Sequence, residues 1–158
     1  MAYRVEVTVT VDDSKLIGPF PTEEALADHA VEMVSFALGC EDADPATAVS
    51  VAFVPIERIA ELNSLYRGKD GPTDVLSFPL DAPDAEGEIV IGDIAISPEV
   101  AIRQNDEYGT TFVEEIDLLL THGTLHLLGY DHIEDEDALV MEARERDILA
   151  AWRREDRS

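Results

Sequence analysis

Three histidines near the C-terminal third constrain this chain more than any other feature. His122, His126 and His132 lie within the segment HGTLHLLGYDH, although the whole chain contains only four histidines. The spacing of four between His122 and His126 places both imidazoles on one face of a helix. Gly129 follows an apolar stretch, where glycine commonly supplies the left-handed conformation that ends a helix. The segment therefore predicts a helix, a tight reversal at Gly129, and a third imidazole that returns toward the first two.

This set of imidazoles predicts a metal centre. Three neutral nitrogen ligands and an open fourth position are typical of catalytic zinc sites, in which the metal acidifies a bound water toward neutral pH. The alternative is that each histidine is a hydrogen-bonded residue of the core. Burying imidazoles among the leucines of this segment is costly unless the rings are paired or coordinated. The spacing favours one zinc ion per chain, on His122, His126 and His132.

The size and composition of the chain indicate a single globular domain. Its 158 residues, of which 46% are hydrophobic, can bury a substantial core, so we expect residues 1–158 to form one metal-dependent hydrolase domain. Cys40 is the single cysteine, which excludes an internal disulfide and clusters of thiolate ligands. No apolar run approaches the length of a membrane span, and the N-terminus lacks a secretory pattern. We therefore expect a cytoplasmic protein without membrane association.

The charge of the chain is strongly acidic. Lys and Arg number 11 against 35 Asp and Glu, which gives a formal net charge of −24 at pH 7. Such a surface repels nucleic acid at long range, and it favours solubility, basic protein partners or an origin in a salty cytoplasm. Any chemistry on nucleic acid must therefore depend on a local positive site.

Alternating and apolar segments in the first two-thirds of the chain predict four strands and two helices. Residues 3–11 alternate between apolar and polar side chains, as a half-buried strand does. The other predicted elements, in chain order, are a helix from Thr22 to Gly39, a strand over 48–54, a helix from Pro55 to about Tyr66, a short strand over 74–78 that Pro79 ends, and a strand over 88–96.

The last third of the chain is predicted to be helical. Ser97 followed by Pro98 indicates a helix start, and Thr111 with Glu114 predicts a capping box for the histidine helix, which ends near residue 128. A charged helix over about 133–153 has the inward positions Leu139, Ala143, Ile148 and Trp152. This order indicates an α+β fold, a small mixed sheet of about four strands packed with helices. We expect the apolar helix with the HxxxH metal motif at its centre, as in zinc hydrolases.

The histidine segment matches the zinc-protease pattern H-E-x-x-H-x-x-G-x-x-H at every position but one. Gly123 stands where that pattern has the glutamate that acts as general base. Because glycine cannot transfer a proton, efficient peptide hydrolysis is not expected. Phosphodiester hydrolysis remains accessible to a metal aided by a cation, and Arg67, on a glycine-flanked loop, is the best catalytic candidate. The alternative for Arg67 is an ordinary surface ion pair.

From about Val51 to the C-terminus, the chain resembles the bacterial YbeY family. The resemblance rests on NSLYRGKDGPTDVLSFP over 63–79, Gly92-Asp93-Ile94, and the histidine segment. It implies a single-strand-specific endoribonuclease of rRNA maturation, acting on the 3′ end of 16S rRNA and in ribosome quality control. It also implies zinc on the three histidines and a catalytic Arg67. The implied partners are single-stranded rRNA, small-subunit ribosomal proteins and an assembly GTPase.

Two other functions stay open at this point. A non-catalytic, metal-stabilised ribosome-assembly factor is favoured by the acidity and the missing base, and a metallopeptidase-like hydrolase would have to act without the glutamate. Among single residues, Asp131 either orients a ligand imidazole or caps the following helix, and Tyr130 is expected to pack. Asp93 is a hypothetical support of the site from its strand, and His29 is expected to be a structural or surface histidine.

Overall fold

Four strands and five helices make up the part of the chain that this computed structural model describes, residues 3–11, 17–80, 87–131 and 133–155. The strands are β1 (Arg4–Val9), β2 (Thr47–Phe53), β3 (Val75–Pro79) and β4 (Ile89–Ile96). The helices are α1 (Glu23–Cys40), α2 (Ile56–Arg67), α3 (Pro98–Tyr108), α4 (Phe112–Leu127) and α5 (Asp135–Arg154). The predicted α+β class and the predicted order of elements are confirmed. Across the described ranges, no helix combines the length and apolar character needed to cross a membrane.

The strands form one mixed sheet in the order β1-β2-β4-β3. β2 pairs in parallel with both β1 and β4, whereas β3 runs antiparallel to β4. The alternation along β1 is visible in its burial, since Val5, Val7 and Val9 are half-buried while the residues between them are exposed. The sheet therefore has one apolar face at this edge, as the sequence predicts.

The main core lies between one face of the sheet and the helices α1, α4 and α5. Its largest fully buried side chains are Leu26, Met33, Leu38, Phe53, Ile94, Ile96, Ile116, Leu120, Leu125, Met141 and Ile148. α4 packs against α1, α3, α5, β3 and β4, which gives it the central position predicted for the histidine helix. A smaller cluster of Val54, Ile59, Leu76 and Ala95 lies between α2 and the opposite face of the sheet.

The start of α4 is the predicted capping box. The Thr111 hydroxyl accepts the backbone N–H of Glu114 at 3.1 Å, and the Glu114 carboxylate accepts the backbone N–H of Thr111 at 2.9 Å. The hydrogen bond from the Thr111 backbone N–H, followed by the interaction with the Thr111 side chain, lowers the pKa of the Glu114 carboxyl. The histidine helix thus begins at a position that local sequence alone specifies.

The predicted end of α1 at Gly39 is wrong. α1 continues to Cys40, and Gly39 lies inside it. Asp42 instead adopts the left-handed conformation, with φ of 52°, and the Ala43 N–H returns to the Leu38 carbonyl at 3.0 Å. Aspartate tolerates this region better than most residues, so the chain reverses without glycine.

The inward face predicted for α5 is partly wrong. Ile148 and Trp152 are buried as predicted and Ala143 is half-buried, but Leu139 is 65% exposed. Met141 is buried in its place. Two residues correspond to about 200° around a helix, so Leu139 and Met141 cannot share one face.

Candidate functional site

A cavity of about 340 Å³ lies between the loop after α2, the strand β3 and the helix α4. Its lining residues are Arg67, Thr73, Asp74, Val75, Leu76, Ser77, His122 and His126. The fold thus brings together three of the four site residues predicted from the sequence. The fourth, His132, lies outside the described residues.

His122 and His126 face each other on successive turns of α4. The ring centroids of His122 and His126 are 4.7 Å apart, and the ring planes meet at 78°. This arrangement follows directly from the spacing of four residues along a helix. Both rings line the cavity, so both present nitrogen donors to the same space.

The reversal predicted after the histidine helix is present. Gly129 has a φ of 106°, in the region that favours glycine. The Tyr130 N–H donates to the Leu125 carbonyl at 3.0 Å, and the Gly129 N–H donates to the His126 carbonyl at 3.1 Å. This pair of hydrogen bonds is a Schellman motif, which turns the chain back within a few residues of His126.

The donor chemistry of this pair fits a transition metal. Neutral imidazole nitrogen is a preferred ligand of zinc and of its neighbours in the first transition series. Within the described ranges, no group of three or more His, Cys, Asp and Glu side chains could hold a metal ion. The predicted three-histidine centre therefore stays a prediction, with two of its members in one cavity.

Glu145 is a residue of this site that the sequence analysis does not identify. Its Oε1 lies 2.5 Å from Nδ1 of His122, although Glu145 belongs to α5 and His122 to α4. Both side chains are largely buried, with 12% and 28% of their surfaces exposed. No local pattern marks Glu145 among the many acidic residues of α5, so only the packing of the two helices reveals it.

Arg67 reaches the cavity from the C-terminal end of α2. Gly68, with φ of 64°, ends the helix directly after Arg67, and a cation at this end interacts favourably with the helix dipole. The Asn63 side chain donates to the Gly71 carbonyl at 2.9 Å and so ties the following loop to α2. Among the described residues, Arg67 belongs to none of the ion pairs, and the surface ion-pair alternative gains no support.

Asp74 is a second residue of the cavity to which the sequence analysis gives no role. Its carboxylate accepts the Val75 N–H at 2.8 Å and the side-chain amide of Gln104 at 3.1 Å. The backbone carbonyl of Asp74 also accepts the Ser97 N–H at 3.0 Å. These bonds fasten the loop that carries the cavity wall to β3 and α3. The available sequence signal is an acidic residue directly before a buried strand.

Gly123 lies where α4 packs directly against the sheet. A Cβ at this position would lie 2.9 Å from Cγ2 of Ile94, a buried residue of β4. The Ser77 hydroxyl donates to the Gly123 carbonyl at 3.5 Å, a long contact that joins β3 to the same turn. A side chain at position 123 would point into the sheet, so the glutamate of the protease pattern has no room here.

Two further acidic residues, Asp93 and Asp131, have described surroundings outside the histidine cavity. Asp93 lines a separate cavity of about 390 Å³ together with Tyr66 and Phe78, and not the histidine cavity. The Asp131 carboxylate accepts the Ile133 N–H at 3.2 Å, before α5 begins at Asp135. Asp131 therefore stabilises the turn that precedes α5 and does not cap the helix itself.

His29 is a structural residue, as the sequence predicts. Its Nε2 lies 2.5 Å from Oδ1 of Asp117, and its ring packs against Phe20 and Trp152 with centroid distances of 5.1 and 5.8 Å. None of these residues lines the histidine cavity.

Comparison with known proteins identifies the family. The family model of Endoribonuclease YbeY matches residues 7–153. A protein of Thermobifida fusca named Endoribonuclease YbeY is 39% identical to this chain, over 92% of this chain and 96% of the relative. A protein of Carboxydothermus hydrogenoformans with the same name is 46% identical, over 82% of this chain and 87% of the relative. The solution structure of TM1509 from Thermotoga maritima has a TM-score of 0.56 at 28% identity, over 96% of this chain and 93% of that one. The resemblance found in the sequence is confirmed, and the chain belongs to the endoribonuclease YbeY family of phosphodiester hydrolases.

Proposed function

We propose that this chain is a zinc-dependent endoribonuclease that cuts single-stranded rRNA during ribosome maturation and quality control, including the 3′ end of 16S rRNA. The observation that carries the proposal is the cavity that places Arg67 beside His122 and His126 in a chain of a nuclease family. In this proposal residues 1–158 act as one cytoplasmic hydrolase domain.

His122, His126 and His132 would hold the metal. When bound, zinc supplies an acidified water and polarises a phosphoryl oxygen, chemistry that does not require an adjacent carboxylate base. This matters because Gly123 packs against Ile94 and leaves no room for such a base on α4. The same packing disfavours a metallopeptidase, whose pattern depends on that glutamate.

Arg67 would stabilise the negative charge that develops on the phosphoryl group. A guanidinium can donate two parallel hydrogen bonds to phosphate oxygens, and such donors act most strongly where charge appears in the transition state. The loop beyond Arg67 is fixed by Asn63 and Asp74, so the guanidinium is attached to a firmly held support. Its exposure leaves it accessible to a strand of RNA.

The partners proposed for this chain are those that the family resemblance implies, small-subunit ribosomal proteins and an assembly GTPase. A net charge of −24 repels RNA at a distance, whereas basic ribosomal proteins are attracted to it, so the charge suits that part of the proposal. In this proposal the partners bring rRNA to the cavity. Arg67 then provides the local positive charge at the point of cleavage.

Cleavage by an Arg67→Gln variant tests the catalytic assignment. With metal-replete protein and a single-stranded rRNA substrate, we expect kcat to fall about 100-fold or more, as when one stabilising donor of a transition state is removed. Arg58→Gln is the matched control, because Arg58 is exposed on the same helix and pairs only with Glu61 in the described contacts. It should cleave as the unchanged protein does.

The same experiment separates the proposal from a non-catalytic assembly factor. An Arg67→Gln protein that keeps its zinc and cleaves at the unchanged rate would remove the catalytic role of Arg67 and favour the assembly factor. Retained 16S 3′-end processing in cells carrying only this variant would point the same way.

The metal assignment has an independent test. Elemental analysis of protein purified without chelator should find about one zinc per chain. The double substitution His122→Ala with His126→Ala should remove the zinc, whereas His29→Ala should keep it because His29 packs elsewhere. Stoichiometric zinc in the double variant would refute the proposed ligands.

A further inference from the structure

A carboxylate lies against one imidazole of the histidine cavity. Oε1 of Glu145 is 2.5 Å from Nδ1 of His122, on the side of the ring that faces α5. Only 12% of the Glu145 side chain is exposed, whereas Glu142, one turn earlier on the same helix, is exposed. Glu145 is therefore the carboxylate that α5 contributes to the interior, and it contacts His122 there.

This contact determines which nitrogen of His122 carries a proton. An ionised carboxylate is only an acceptor, so Nδ1 must be the donor in the hydrogen bond. In a neutral imidazole the other nitrogen, Nε2, then has the lone pair. A metal requires such a lone pair, and a ring held through one nitrogen has little freedom to turn away from it.

We propose that Glu145 is a positioning residue for the metal ligand His122. Through Nδ1 it fixes the ring and the tautomer, so that Nε2 is the ligating atom. This inference rests on the metal centre of the proposed function. Nothing in the sequence or in the comparisons assigns this role to Glu145.

The other histidine–carboxylate pair among the described residues shows what a purely structural contact looks like. His29 also lies 2.5 Å from a carboxylate, that of Asp117, but it uses Nε2 and its ring is enclosed by Phe20 and Trp152. His122 instead uses Nδ1, lines the cavity, and faces the ring of a second histidine there. Both pairs have an imidazole nitrogen in contact with a carboxylate, but only the imidazole of His122 lines the histidine cavity.

Zinc affinity of metal-free protein, measured by competition with a chromophoric chelator, tests the proposal without using activity. Glu145→Ala should bind zinc about 10–100-fold more weakly, the usual effect of removing a partner of a ligating histidine. Glu145→Gln should recover part of the affinity, because its amide oxygen can still accept the Nδ1 proton. The order of affinities expected is unchanged protein, then Glu145→Gln, then Glu145→Ala.

Two matched controls separate positioning from general damage. Glu142→Ala removes an exposed carboxylate from the same helix and should bind zinc within about twofold of the unchanged protein, since it has no described contact with His122 or His126. Asp117→Ala removes the carboxylate of the other pair and should lower the free energy of unfolding without weakening zinc binding. ¹⁵N NMR of metal-free protein should show the Nδ1–H tautomer at His122 and its loss in Glu145→Ala.

The outcomes are distinct for this inference and for the proposed function. If the unchanged protein binds zinc and Glu145→Ala binds it equally well, the positioning role is overturned while the metal centre stands. If the unchanged protein binds no more zinc than His122→Ala does, the metal centre is overturned and the positioning role with it.

Discussion

The hydroxyl of Tyr130 joins the reversal after α4 to two other helices. It donates to Oε1 of Glu41 at 2.5 Å, and Nε of Arg144 donates to the other oxygen of the same carboxylate at 2.8 Å. Glu41 directly follows α1, and Arg144 lies in α5. The packing predicted for Tyr130 is present, since its ring lies against the main core. The hydrogen bond adds a polar anchor to the turn that leads out of the histidine helix.

This anchor should make stability decline at alkaline pH. The hydrogen bond to Glu41, aided by burial, raises the pKa of the Tyr130 phenol above its ordinary value of about 10. Its contribution is therefore complete below that value and is lost as pH rises through the pKa of the folded state. Tyr130→Phe should lower the free energy of unfolding by about 1 kcal/mol near neutral pH and should reduce the alkaline loss of stability.

Urea unfolding at about pH 8 and about pH 11, on either side of the ordinary phenol pKa, measures this effect. Tyr66→Phe is the control, because the Tyr66 side chain is exposed and its loss should leave the difference between the two pH values unchanged. An alkaline loss in Tyr130→Phe as large as in the unchanged protein would contradict the assignment.

The close approach of α4 to β4 explains the missing base of the protease pattern. The methyl groups of Ile94 fill the space that a side chain at position 123 would need, and Ile94 is itself 1% exposed. The short distance between helix and sheet brings the wall of β3 and the histidines of α4 into one cavity. Gly123 thus excludes the glutamate base of the protease pattern, and it also permits the close packing that forms the histidine cavity.

A double-mutant cycle should detect this contact. Gly123→Ala alone should destabilise the protein by about 1 kcal/mol, because overpacking outweighs the gain in helix propensity. In an Ile94→Ala background the obstructing atoms are gone, and the same substitution should stabilise by about 1 kcal/mol. Gly39→Ala is the control, since a Cβ there meets nothing within 4 Å, and it should stabilise in either background. Equal effects of Gly123→Ala in both backgrounds would refute the close approach.

Local sequence patterns predicted the helices and strands, but they did not predict the contacts between them. The capping box at Thr111 and the reversal at Gly129 depend on neighbouring residues, so both were predictable from sequence. Leu139 was misplaced because the face of α5 that turns inward is set by packing against α1 and α4. Glu145 was missed for the same reason, since its contact joins two helices and resembles no motif.

Four of the described arginines form ion pairs with acidic residues. The pairs are Arg4 with Glu6 and Glu88, Arg58 with Glu61, Arg103 with Glu99, and Arg144 with Glu41 and Asp147. Arg67 belongs to none of them and lines the cavity. The molecule has a net charge of −24, so the positive charge of Arg67 at the proposed site is local. The surrounding negative charges repel RNA, and they also repel one another within the folded protein.

That self-repulsion should make added salt stabilising. Raising NaCl from about 0.05 to about 0.5 M shortens the screening length severalfold, and we expect the melting temperature to rise by several degrees. Asp28 and Glu32 are exposed carboxylates one turn apart on α1, a spacing at which like charges repel. The variant Asp28→Asn with Glu32→Gln should be more stable than the unchanged protein at low salt, and salt should narrow the difference. Calorimetry of both proteins across the salt series measures their melting temperatures. If the melting temperature falls as salt is added, or if salt widens the difference between the two proteins, net charge repulsion does not govern stability here.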